Sequence, residues 1–227
     1  MLYLIILLVL MAIILGPKIW VNRVLTKYSQ PNDRYTKTGA RLARYLLDSN
    51  DLHSVEIEVT KLGDHYDPVK KIVRLTEDNF NHGSLTAITV AAHEVGHALQ
   101  DHHEYLPLKW RTRLVNVISK IEKIGAALLI ASPFMTIITK TPSVSIFTLI
   151  AGFMTLGSSV IVHGITLPVE FDASFKRALP LLKKNNILLP IDYRHSHKLL
   201  TAASLTYVSA SLMSLLNIAR WIAILRR

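Results

Sequence analysis

The chain has 227 residues, of which 50% are apolar, with a mean hydropathy of +0.32, a formal net charge of +10 and no cysteine. Disulfides and thiolate metal ligands are therefore excluded. The positive charge does not imply a nucleic-acid partner, because between Val21 and Lys123 the 15 Lys and Arg nearly balance 13 Asp and Glu and leave no basic groove.

Leu2 to Gly16 is uncharged and almost wholly aliphatic, and it ends at Pro17, Lys18 and Trp20. With neither a positive leading region nor a small-residue cleavage site, residues 1–20 read as a retained membrane anchor. A catalytic unit is expected over 21–123. Thr38 to Asp48 sets Ala40, Leu42, Ala43, Leu46 and Leu47 at helical intervals, an amphipathic scaffold helix. Val55 to Thr60 and Lys71 to Leu75 read as short strands, with Asp64-His65-Tyr66-Asp67-Pro68 as the turn between them. The resulting small sheet should lie against the next helix, where it either offers an edge for an extended substrate or is a merely structural hairpin.

That next helix carries His93-Glu94-Val95-Gly96-His97. In an HExxH helix the two histidines lie one above the other on one face, so both imidazoles reach one cation, and the glutamate stands beside it as a base for water. Ser84 is the expected N-cap. Leu85, Ile88, Ala92, Val95 and Leu99 form a buried stripe that turns the histidines away from the core, and Gly96 allows another element to come close. A helix bearing two ordinary histidines and an exposed glutamate is the plainer alternative. Lys109, Arg111 and Arg113, and later Lys176, Arg177, Lys183 and Lys184, flank apolar runs as contacts to anionic lipid on a cytoplasmic leaflet would.

Ile124 to Thr139, Val144 to Val169 and Leu199 to Ala219 contain no Lys, Arg, Asp or Glu. Residues 124–169 read as a transmembrane hairpin, and 199–227 as a last hydrophobic helix whose many hydroxyls suit packing against other helices. Arg220, Arg226 and Arg227 sit awkwardly with a full final crossing. A catalytic zinc needs a third protein ligand. His103 has the spacing of an extended HExxHxxGxxH site but finds Gln100 where the glycine belongs; Asp101 and His102 read as solvated residues at the helix end. His163 lies within an apolar run, where a hydrogen-bonded neutral imidazole is the plainer reading. Glu170 is preferred: it follows Pro168 at the expected start of a helix spanning 170–198, with Phe171, Phe175, Ala178, Leu179 and Leu182 on its apolar face. An acidic residue at a helix start also needs no metal.

AAHEVGHALQ, LPVEFDASFKRAL, DHYDP and VRLT together closely resemble the neutral zinc metallopeptidases of bacterial membranes, the YugP type, over nearly the whole chain. That resemblance implies His93, His97 and Glu170 as zinc ligands and Glu94 as the catalytic glutamate. The chain is also distantly similar to the HtpX-like and prenyl-protein membrane proteases, in which an aspartate four residues after the third ligand orients a ligand. Ser174 stands there instead, so that role passes to Asp172 or is absent.

The expectation is a mainly α, integral membrane protein, multi-pass in the cell membrane, with about four transmembrane helices and a small α+β zincin-like unit on the cytoplasmic side. It should be a zinc metalloendopeptidase acting on membrane or misfolded proteins, with peptide substrate and lipid bilayer as partners and no nucleic acid. Tyr207, His65 and Tyr66 are candidate donors to the oxyanion. The alternative is a non-enzymatic membrane adaptor with a structural metal site. A transporter is disfavoured, since only His163 is ionisable within the spans.

Overall fold

The computed structural model describes residues 2–215, with side chains described outside 2–11, 13–14, 152–163, 207–215 and scattered positions between 119 and 142. Eight α-helices are described: α1 (Leu2–Lys27), α2 (Gly39–Asp48), α3 (Glu77–Asn81), α4 (Leu85–His102), α5 (Leu106–Thr139), α6 (Pro142–Phe171), α7 (Leu179–Lys184) and α8 (Tyr193–Leu215). A π-helical segment, Asp172–Ala178, joins α6 to α7.

Local chemistry places the element ends. Thr38 caps α2 by accepting from the Arg41 N–H at 3.3 Å, and Ser84 caps α4 by accepting from Ala87 N–H at 3.0 Å, as its place before the apolar period predicts. The sheet has the order β1 (Glu56–Thr60), β3 (Ile72–Thr76), β2 (His65–Asp67). β1 runs parallel to β3 and β2 antiparallel. The segment read as a turn thus contains a strand: Tyr66 points into the core opposite Val73, and Asp64 ties the end of β3 by accepting from Thr76 N–H at 2.6 Å.

The core gathers around α4, with Leu42 and Leu46 of α2, Leu75 of β3, Ile88 of α4, Leu182 of α7 and Leu199 of α8 all fully buried. α4 is enclosed on every side, since all residues from Leu85 to Gln100 are buried. The histidine face therefore does not look away from the protein. It is covered by the π segment and α8.

Among the described residues no helix is long and apolar enough to cross a membrane, which overturns the expectation of about four transmembrane helices in a multi-pass protein. The fold is mostly helical with a small three-stranded sheet. Length is not what fails: α5 has 34 residues, but Lys109, Arg111, Arg113, Lys120 and Lys123 all lie between its start and residue 123. Leu199, Leu200 and Ala202 of α8 are packed on protein, as the hydroxyl-rich last segment was expected to be, whereas Ile137, Ile138, Ile146 and Phe147 of the α5–α6 hairpin are exposed. α5 and α6 do pair as a hairpin, turning at Lys140 in the left-handed region (φ 53°). The side chains of residues 2–11, His163 and Tyr207, and all of 216–227 with Arg220, Arg226 and Arg227, lie outside the described residues.

The second correction concerns Pro168. It lies inside α6 and does not begin a helix. Glu170 is consequently near the end of a 30-residue helix, and the favourable charge–dipole reading of an acid at a helix start does not apply.

Candidate metal centre

α4 presents His93 and His97 with ring centroids 4.8 Å apart, set edge to face. The end of α6 brings Glu170, whose residue is 0% exposed, between them. Its Oε2 lies 3.2 Å from His93 Nε2 and 3.1 Å from His97 Nε2. The three groups offer ligand atoms within 4.8 Å of one another, a set that could hold a metal ion.

The opposite ring nitrogens are also held. Gln100, fully buried, donates both amide hydrogens, to Val169 O and to Asp172 Oδ2, each at 2.8 Å. Its Oε1 is thereby the acceptor 2.9 Å from His97 Nδ1, which must carry the proton. His93 Nδ1 lies 2.8 Å from Ser174 Oγ, whose own hydroxyl reaches Leu200 O at 3.2 Å. Both Nε2 lone pairs then face a carboxylate oxygen. Such an arrangement is repulsive unless the imidazoles are protonated or a cation stands among the three atoms, and two imidazole nitrogens with one carboxylate oxygen, in a chain without cysteine, suit zinc.

Glu170 Oε1 faces the other way, with Arg111 Nη1 at 3.3 Å. Burial raises the Glu170 carboxyl, but His97 and His93 outweigh it and hold the group well below the usual carboxylate range. Glu94 is the opposite case. Its residue is 5% exposed, no hydrogen bond reaches its carboxylate among the described residues, and burial, reinforced by Asp64 and Glu170, pushes it up to about 8.

The approach of α6 and the π segment to α4 depends on Gly96, for a Cβ there would meet Ala173 O at 2.5 Å. The close approach expected from this glycine is thus present. Pro180 cannot donate back along the helix, so a regular α ladder cannot continue across it into α7, and the π turns before it set Ser174 and Asp172 on the α4 side.

The other sequence candidates are elsewhere. His103 ends α4 and is met by Arg177 Nη1 at 2.9 Å. His102 is exposed. Asp101 is not simply solvated: it accepts from Tyr66 Oη at 2.7 Å and pairs with Lys71. Tyr66 is therefore committed, and His65 Nδ1 lies 2.8 Å from Gly63 O, so neither is an oxyanion donor in this arrangement. Asp172 does not touch a histidine; it holds Gln100 and Arg177, at 2.8 Å each. The sequence reading missed Gln100, Ser174 and Arg111. Gln100 and Ser174 were visible only as departures from related motifs, and Arg111 only as one of several basic residues.

The family described as "Putative neutral zinc metallopeptidase" matches residues 3–226. A curated relative, "Putative membrane protease YugP" of Bacillus subtilis (strain 168), is 35% identical over 216 residues, covering 92% of each chain. No solved structure matches.

Proposed function

We propose a mechanism for a chain that belongs to the neutral zinc metallopeptidase family and is therefore a zinc-dependent peptidase: His93, His97 and Glu170 hold the metal, and Glu94 is the base. Its cofactor is zinc, and its substrates are peptides or proteins. Family membership sets aside the adaptor reading. The observation that carries the mechanism is the convergence of three buried ligand atoms with an unbonded carboxylate one residue from the first.

Bound zinc supplies Lewis-acid polarisation and lowers the pKa of water toward neutrality. The positive charge of a bound metal would offset the burial that raises the Glu94 carboxyl, and the ionised group takes the proton from the attacking water as the water oxygen bonds to the peptide carbonyl carbon. The same carboxyl then delivers a proton to the departing nitrogen as the C–N bond breaks, leaving a carboxylate and an amine. Gln100 and Ser174 keep the imidazoles aimed, and Arg111 sets a positive charge 3.3 Å from Glu170 Oε1, which accepts no hydrogen bond among the described residues.

His93, His97, Glu94 and Glu170 are all at least 95% buried, which excludes a folded protein surface from the centre. Any substrate must part the cover over the histidine face, and an extended segment of an unfolded or misassembled protein needs the smallest opening. The relative is named a membrane protease. Exposed Ile137, Ile138 and Phe147 at the turn of the α5–α6 hairpin support action at a membrane surface for this chain as well.

The test is Glu94→Gln, assayed for zinc content and for cleavage of a labelled unfolded protein. It should keep one zinc per chain and lose about 10²–10⁴-fold in turnover. Turnover retained with zinc in place removes Glu94 from the mechanism.

A further inference from the structure

The face formed by α1 and the start of α8 bears two open clefts that meet at Trp20. One, of about 440 Å³, runs along α1 past Ala12, Leu15 and Ile19 to Arg23; at helical spacing these residues share one side. It is apolar except at its Arg23 end. The other, of about 460 Å³, is lined by Tyr28, Arg194, His195, His197 and Lys198 together with Trp20. Both fall in the size range of small-molecule sites.

In the second cleft His195 lies 3.7 Å from the Asp192 carboxylate, and the arginine and lysine are left without an acid. Among the described residues no carboxylate pairs with Arg23, Arg194 or Lys198. Lys27 adds a further cation, its Nζ 5.6 Å from the centre of the Tyr28 ring. The nearby acid, Asp192, is buried and committed to Arg34 at 2.7 Å. His195 stacks against Tyr28 at 5.0 Å and His197 against Phe175 at 4.7 Å, so the walls are built by ring contacts between separate elements.

We propose that these joined clefts bind one anionic phospholipid, its phosphate between Arg194 and Lys198 and an acyl chain along Ala12, Leu15 and Ile19. An apolar trough ending in clustered cations complements an amphiphile whose charge lies at one end. A free phosphate would leave the trough unused, and a neutral lipid would leave the cations unmatched. Trp20, with an apolar body and a polar N–H, stands where chain and headgroup meet. The site is separate from the metal centre and from the hairpin tip.

The full-length chain carrying Trp110→Phe and Trp221→Phe retains Trp20 as its single indole. Its fluorescence is followed while vesicles of dibrominated phosphatidylglycerol or dibrominated phosphatidylcholine are added. Half-quenching should need roughly tenfold less phosphatidylglycerol, as two or more cations near an anionic headgroup imply. Arg194→Ala with Lys198→Ala should bring the two lipids within about twofold. Arg194→Lys with Lys198→Arg should keep the preference, which separates lost charge from lost fold. Equal quenching by both lipids, a preference surviving the double alanine change, or displacement by inorganic phosphate at the lipid's own concentration would each overturn the assignment. Hairpin contact with a membrane would survive any of those results, because it does not depend on the headgroup.

Discussion

In the proposed mechanism three side chains decide whether the centre can hold zinc, and two more decide how well. Removing Glu170 leaves two imidazoles, too few for a catalytic site. Glu170→Ala should therefore abolish zinc retention in a purified chain, whereas His103→Ala, at the far end of α4 and bonded to Arg177, should keep one zinc, as read by elemental mass spectrometry. Gln100→Leu keeps the bulk but leaves His97 Nδ1 without its acceptor. Losses of that kind weaken metal affinity by about 10–100-fold. A competition titration with a chelator should find that drop in Gln100→Leu and in Ser174→Ala; unchanged affinity in both would mean the ligands are aimed by packing alone. Neither residue was assigned this role from sequence. A glutamine in place of a glycine and a serine in place of an aspartate read as lost motif positions, although each has the polar atom the ligand requires.

At the scale of elements, the centre exists because the end of α6 and its π segment lie directly on α4. The contact is backbone to backbone at Gly96, so a methyl group there must push Ala173 away or be accommodated by a shift of the whole segment. Gly96→Ala should cost about 1–3 kcal/mol of stability and should also lower zinc occupancy, because the segment that moves carries Glu170 and Ser174. Thermal denaturation with and without added zinc checks this. Equal stability with full zinc would show that the segment gives way without moving its ligands. The smallness of residue 96 was legible in HEVGH. The π segment was not, since sequence places Pro168 at a helix start and says little about a switch from one helical hydrogen-bond ladder to another.

Across the whole molecule, the loop after α1 is tied to the start of α8 through Asp192, which accepts from Arg34 at 2.7 and 2.8 Å and from Tyr35 Oη at 2.6 Å. Burial works against the Asp192 charge, but Arg34 and Tyr35 outweigh it and hold the carboxyl below its ordinary value. A depressed folded pKa gives stability that is complete above the unfolded value, near pH 4, and is lost as pH falls through the folded one. Asp192→Asn should accordingly lower stability by about 2–3 kcal/mol at neutral pH and flatten the acid limb of urea denaturation measured below pH 4. An unaltered acid limb would show that this tie contributes nothing to holding α1 and α8 together. The apolar runs of those helices illustrate the division between sequence and structure. Sequence by itself pointed to the proposed chemistry of the centre, because an i, i+4 histidine pair with its glutamate is set by the pitch of one helix, and it preferred Glu170 as third ligand before a resemblance over nearly the whole chain implied the same residue. Only the tertiary structure decided what the described parts of the hydrophobic segments face and which groups lie behind the candidate ligands. Hydropathy measures how strongly a residue avoids water without saying whether protein or lipid covers it, and a hydrogen bond such as Gln100 to His97, or a meeting such as Gly96 with Ala173, exists only once separate elements have packed.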